Sequence, residues 1–170
     1  MSKMETLQFH FKDDGMIPNS PLPLIIYKQA FEGGDALADT MEQKFAANNW
    51  VNSWRNGIFT YHHYHSITHE VVGVYSGYAE LHMGGESGER IKVQAGDVIV
   101  IPAGTGHKKV SASGDFRVIG AYPDGMEYDL MTGEEGERPR ADERIANVPL
   151  PETDPVSGKE GGITKLWTLW

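Results

Sequence analysis

The sequence predicts a mainly β chain, rolled into a sandwich or barrel with one helix packed outside it. Three observations predict this. From Gly57 to Tyr122, short runs rich in β-branched and aromatic residues alternate with turns built on Gly, Asp and Ser. Val98-Ile-Val-Ile101 is apolar at every position, as a strand covered on both faces must be. Leu37, Ala38, Met41 and Phe45 recur near the helical period and give the chain its one convincing amphipathic stripe.

Taken in order, Leu22-Pro-Leu-Ile-Ile-Tyr27 is short and apolar, and its prolines suit an edge strand or an extended entry segment. The helix is expected from Asp35 to Asn48, with Asp35 as N-cap and Asn48-Asn49 as its stop. Strands are expected at residues 59–65, 70–75, 78–83, 91–94, 98–101, 108–112 and 116–122. Gly84-Gly-Glu-Ser-Gly88, Gly96-Asp97 and Ser113-Gly-Asp115 separate several of them. From Met131 to Gly162 the chain is rich in Gly, Pro and charge, and is expected to wrap the barrel, cover a site or meet a partner subunit. Ile163-Thr-Lys-Leu-Trp-Thr-Leu-Trp170 alternates large and polar residues, which fits a docked terminal strand. One domain is therefore expected, with an N-terminal extension over residues 1–56, a barrel core over 57–123, and a wrapping tail with terminal strand over 124–170.

Composition bounds the chemistry. Of 170 residues, 39% are apolar and 23% charged, the balance of a soluble globular protein. Neither a membrane-length apolar run nor the apolar segment of a secretory signal is evident, so a cytoplasmic location is expected. The absence of cysteine excludes disulfides, thiolate nucleophiles, iron–sulfur clusters and Cys-based zinc sites. A formal net charge of −9 opposes nucleic-acid phosphates, and no Lys/Arg run offsets it.

Metal ligation would then fall to His, Asp and Glu, a donor set that suits Fe, Mn, Ni, Zn, Co or Cu. His63 and His65 are one residue apart, so on a strand both imidazoles project from the same face. Phe59 and Tyr61 share that parity, while His62 and Tyr64 point the other way. Strict alternation would carry His69 inward and Glu70 outward; a bend in Ser66-Ile-Thr-His69 would reverse that choice. Pro102-Ala-Gly-Thr-Gly106 is a sharp turn that swings His107 back toward the barrel axis.

These residues resemble the two motifs of the cupin superfamily, G-x5-H-x-H-x3,4-E-x6-G and G-x5-P-x-G-x2-H-x3-N. Gly57, His63, His65, Glu70 and Gly77 fill the first; Gly96, Pro102, Gly104 and His107 fill the second, with Ser111 in its Asn position. The resemblance implies a double-stranded β-helix, or jelly-roll barrel, and one divalent transition metal on His63, His65, Glu70 and His107. It leaves His69 as a neighbour of the ligands or a surface residue. The helix, Gly120-Ala-Tyr-Pro123 and the Arg/Pro-rich tail resemble a group of bacterial single-domain cupins of unknown function.

The expected function is a metal-dependent, dioxygenase-like enzyme on a small organic molecule. A Lewis-acid isomerase or lyase of a sugar-like substrate, or a non-catalytic binding module, are the alternatives. Tyr61 and His82 are candidate proton donors. Phe59, Tyr122, Arg138 and Arg140 are candidate substrate contacts, with Arg144 beside them. An isomerase on phosphorylated sugars would need a cationic clamp from Arg90, Lys92, Lys108, Lys109 or Arg117. Trp167 and Trp170 are candidates for a homodimer interface.

Overall fold

A run apolar at every position needs cover on both faces, and the computed structural model, which describes residues 4–168, shows how the chain provides it. The elements run β1 (Glu5–Phe9), β2 (Leu24–Lys28), α1 (Leu37–Ala47), β3 (Trp50–Asn56), β4 (Glu70–Ser76), β5 (Tyr78–Met83), β6 (Glu89–Gln94), β7 (Val98–Ile101), β8 (His107–Ala112), β9 (Arg117–Pro123), α2 (Arg140–Asn147) and α3 (Ile163–Leu166). They form two antiparallel sheets: a six-stranded one in the order β1-β2-β7-β4-β9-β3 and a three-stranded one in the order β6-β5-β8. The result is the mainly β jelly roll that the sequence predicts, with few and short helices.

Alternation along the large sheet divides its side chains between two cores. Ile25, Tyr27, Val71, Val98, Val100, Ile119 and Ala121 point outward onto Leu37, Met41 and Phe45 of α1. Leu24, Ile26, Val72, Val74, Ile99, Ile101 and Val118 point inward and meet Ala79, Leu81 and Met83 of β5 and Ile91 and Val93 of β6. Val98-Ile-Val-Ile101 is apolar throughout because it lies between α1 and the small sheet, at the centre of both cores. The stripe that packs α1 is the expected one, and its buried residues are Leu37, Ala38, Met41 and Phe45.

Several local expectations are corrected. Asp35 does not cap α1; Ala36 holds the N-cap position, with no side-chain cap bond. Residues 59–65 form no strand, because the segment makes only single bridges, His63 to His107 on one side and Tyr64 to Met131 on the other. β2 is not an edge strand, since β1 covers it. Ile163–Leu166 is a helical turn, not a strand, closed by the Trp167 N–H on the Ile163 carbonyl. Trp167 is buried within its own chain, its Nε1 donating to the Pro23 carbonyl, and so is not free for a dimer interface; Leu169 and Trp170 lie outside the described residues. The tail carries α2 and wraps the barrel, held by the buried Asp154 carboxylate, which accepts from Tyr27 and from the Val156, Ser157 and Ile163 amides.

One glycine sets the shape of the cavity described below. A Cβ on Gly120 would stand 2.3 Å from the Trp54 indole, which lies across β9 there. The same indole donates through Nε1 to the Tyr122 hydroxyl at 2.8 Å, so Gly120 lets Trp54 hold Tyr122 in place. Gly120→Ala is expected to destabilise the protein by about 1–3 kcal/mol, in the range of overpacked interiors. Gly114→Ala, where an added methyl group meets nothing within 4 Å, is expected to change stability little. Urea unfolding of the two variants measures the difference.

Candidate metal centre

Three imidazoles meet inside the barrel. The backbone groups of His63 and His107 bond reciprocally, His107 N–H to His63 O at 2.9 Å and His63 N–H to His107 O at 3.2 Å. Directly opposed residues of such a pair share a face, which puts both rings on one side with centroids 4.0 Å apart. His65, two residues on, joins them at 5.9 Å from His63 and 5.3 Å from His107. One ring nitrogen of each lies within 4.8 Å of the other two, and all three residues are buried.

The phase reset at Ser66–His69 is built by side chains. The Asp129 carboxylate accepts from both the Ser66 N–H and the Ser66 hydroxyl, and the Gly104 N–H donates to the His65 carbonyl at 2.8 Å. The chain then enters β4 with Glu70 in phase with inward-facing Val72 and paired to Ile101. Glu70 Oε2 stands 3.6 Å from His65 Nε2, and Glu70 Oε1 stands 3.6 Å from His107 Nε2. His69 turns away from the cluster. Its Nδ1 accepts from the Ala103 N–H at 2.9 Å, its Nε2 donates to the Pro149 carbonyl at 3.1 Å, and its ring packs on Trp167. Both nitrogens are thus occupied in bracing the tail.

The turn before His107 behaves as its glycines require. Gly104 has φ +93°, and a Cβ there would come 2.5 Å from the Asn19 carbonyl. Buried Asn19 braces the turn by accepting from the Gly106 N–H, while its own amide donates to the Lys12 and Gly84 carbonyls.

The tautomers follow from the partners. Nδ1 of His63, His65 and His107 faces the carbonyl of Tyr61, Asp129 and Thr105 respectively. A carbonyl only accepts, so each neutral ring carries its proton on Nδ1 and leaves Nε2 bare. Burial, reinforced by the neighbouring imidazoles, holds His107 well below the usual histidine range; burial also lowers His63. Burial is the largest influence on His65 and opposes its charged form, but the Glu70 carboxylate together with the Asp129 carbonyl and carboxylate outweighs it and the net shift is upward. Two donors each about 2.1 Å from one ion stand roughly 3.0–3.4 Å apart. The 3.6 Å separations from Glu70 are close to that and longer than a direct hydrogen bond. The residues therefore fit a divalent ion of borderline character.

The cluster forms the floor of a cavity of about 390 Å³, walled by Trp54, Ile58, Phe59, Val72, Tyr122 and Tyr128. Phe59 and Tyr128 are about half exposed, so the mouth is open to solvent. Tyr122 stacks on Tyr128 and keeps its proton, first because it is buried and then because Glu70 is near. Of the cations considered for an anion clamp, only Lys109 reaches the wall; Arg55 also does, but its guanidinium is paired with Asp39 and Glu42. A larger, shallower hollow of about 660 Å³ lies on the outer face of the small sheet, beside Tyr78, Glu80 and Lys92, and contains no histidine.

Other candidates lie elsewhere. Tyr61 stacks on Phe59 at the rim and is not part of the wall. His82 is on the outward face of β5, because Leu81 and Met83 take the inward face; its ring meets His62 instead. Arg138 is held by Asp13 and Asp142, and Arg140 and Arg144 line a surface groove beside α2, so none of the three reaches the mouth. Trp54, Tyr128 and Asp129 are the wall and bracing residues that sequence reasoning missed. Asp129 acts partly through a backbone carbonyl, which leaves no trace in a side-chain pattern.

A β jelly roll with a buried three-histidine cluster between its sheets defines the class of protein. The family model for the cupin domain matches residues 54–119. Over 166 residues, 96% of this chain and 97% of the relative, the sequence is 45% identical to the uncharacterised protein YjlB of Bacillus subtilis (strain 168). The chain belongs to the cupin family. Solved structures with some likeness include a DUF861 family protein from Thermotoga maritima, at 18% identity and a TM-score of 0.35, covering 46% of this chain and 83% of that one. Another is a DMSP lyase from Ruegeria pomeroyi, at 16% identity and a TM-score of 0.38, covering 78% and 53%. Likeness this loose says nothing about activity.

A pH dependence follows from His69. Burial lowers its pKa to about 4, partly offset by the Pro149 carbonyl. The unfolded chain, with a histidine pKa near 6.5, binds the proton first, so stability is full above pH 6.5 and is lost as pH falls toward 4. The loss from this one residue is expected to be about 3 kcal/mol. In metal-free protein, urea unfolding across that range is expected to show it, and His69→Gln to lack that part of the slope. An unchanged slope in the variant would contradict the assignment.

Proposed function

We propose that this protein is a metal-dependent enzyme with dioxygenase-like chemistry on a small organic molecule. In this reading His63, His65, Glu70 and His107 hold one divalent transition metal. The observation that carries it is the convergence of one ring nitrogen from each of three buried histidines, whose Nδ1 atoms face backbone carbonyls, beside a carboxylate at the floor of a cavity open to solvent. An ion held by four protein donors keeps open positions, where it supplies Lewis acidity and, if redox-active, dioxygen chemistry.

The chain's own residues do the rest. Trp54, Phe59, Tyr122 and Tyr128 present aromatic surface that binds the apolar part of a substrate and displaces water from the floor. Lys109 offers one cation to an acidic or hydroxylated group. Tyr122, anchored by Trp54 and kept protonated, holds a hydroxyl proton close to Glu70. A cavity of about 390 Å³ suits a small ligand. A phosphorylated sugar is the poorer fit, because Arg55 is already neutralised and Lys109 alone is a weak phosphate clamp.

Elemental analysis of protein purified without added metal, followed by an oxygen-electrode screen of small aromatic and aliphatic acids, tests the reading. The expected result is a redox-active metal and oxygen uptake that depends on both metal and substrate. Uptake absent from protein loaded with Fe, Mn, Ni, Co or Cu would overturn the oxygenase reading.

His63→Ala, His65→Ala and His107→Ala are each expected to lose most of the metal held between the sheets, and His69→Gln to keep it. Affinity is expected to fall as pH drops, first as His65, whose pKa is raised, takes a proton, and only below the usual histidine range as the buried His63 and His107 do, since protons compete for the imidazoles. Metal retained in all three alanine variants would contradict the ligand assignment.

A further inference from the structure

The bridge segment that carries the interior histidines carries another on its outer face. His63 and His65 point between the sheets, and His62 points away from them. Across the outer face of the small sheet its ring reaches the ring of His82 on β5, with centroids 4.9 Å apart. Glu86, in the hairpin between β5 and β6, closes the group: its carboxylate accepts a hydrogen bond from His62 Nε2 at 2.5 Å, which leaves Nδ1 as the bare nitrogen of that ring. One donor atom from each of His62, His82 and Glu86 lies within 4.8 Å of the other two.

Two features separate this group from a chance surface cluster. His82 is 6% exposed, far more buried than a histidine on the outer face of a sheet needs to be. His62 Nδ1 is buried with no hydrogen-bond partner, the one such side-chain atom among the described residues. A buried polar atom left without a partner costs roughly 1–3 kcal/mol, and the bare Nδ1 lone pair is relieved of that cost by a cation bound to it.

We propose that His62, His82 and Glu86 form a second divalent metal site, on the solvent side of the small sheet and separate from the interior one. Two imidazoles and a carboxylate make a borderline donor set, which selects Zn²⁺, Ni²⁺, Co²⁺ or Cu²⁺ over Mg²⁺ and Ca²⁺. The Glu86 side chain is exposed and can adjust its carboxylate to the ion, while buried His82 supplies the fixed arm. Lys108 and Arg90 flank His82 across the sheet and oppose a cation, so this is the weaker of the two sites.

Calorimetric titration of metal-stripped protein with Zn²⁺ tests the proposal, with Mg²⁺ as the control ion. Wild type is expected to bind two equivalents of Zn²⁺ in separable steps and no Mg²⁺. Glu86→Gln, on an exposed hairpin where folding is not at stake, is expected to weaken the lower-affinity step. The loss should be at least the roughly 10–100-fold that follows removal of a mere outer-shell partner. His82→Gln should abolish that step, and His107→Gln should remove only the tighter one. A single equivalent in wild type that survives Glu86→Gln and disappears in His107→Gln would overturn the outer site and leave the interior reading intact. A single equivalent lost in Glu86→Gln and untouched by His107→Gln would do the reverse. Two equivalents unaltered by Glu86→Gln and His82→Gln would also overturn the proposal.

Discussion

Three backbone carbonyls govern this site. By accepting from Nδ1 of His63, His65 and His107, they fix which nitrogen of each ring carries the proton and which way its lone pair points. Bare nitrogens that converge within 4.8 Å repel one another unless something positive lies between them. A barrel that spends its interior on such an arrangement gives up apolar packing there. Much of the rest of the molecule consists of devices that keep those carbonyls, and the chain that bears them, in position.

Those devices come from distant parts of the sequence. The Tyr61 and Thr105 carbonyls are local, each two residues before the histidine it serves. The Asp129 carbonyl comes from the tail, which is held against the barrel by the paired Tyr64–Met131 bridge and by the Asp129 carboxylate on Ser66. Asn19 fixes the turn before His107, and His69, bonded to Ala103 and Pro149, ties that turn to the tail. The tail therefore belongs to the construction of the site as well as to the covering of the barrel.

The fold and the histidine cluster were legible in the sequence for separate reasons. Strand spacing and the doubly apolar Val98–Ile101 run gave the β architecture, because burial on both faces leaves no polar position. The one-residue spacing of His63 and His65 gave their shared face even though the segment is no formal strand, since an isolated bridge is extended enough to preserve alternation. Glu70 was the ambiguous residue on parity alone. The kink that turns it inward is made by Asp129, some sixty residues later, and no local pattern reports it. β3 was hidden because Trp50–Asn56 is broken by a bulge, with Asn52 at φ +61° and a register shift between Val51 and Trp54. The arginines of the tail read as substrate contacts only until their surroundings are seen: Arg138 is held by its own carboxylate partners, Asp13 and Asp142, and Arg140 and Arg144 line a groove beside α2 away from the cavity mouth.

The most direct measurement of the central claim is anomalous diffraction at the absorption edge of a metal loaded into crystals of this protein. The account predicts a peak between the sheets within about 2.0–2.3 Å of Nε2 of His63, His65 and His107 and of a Glu70 oxygen. Density with no anomalous signal there, or rings turned so that Nδ1 instead of Nε2 faces the centre, would contradict it.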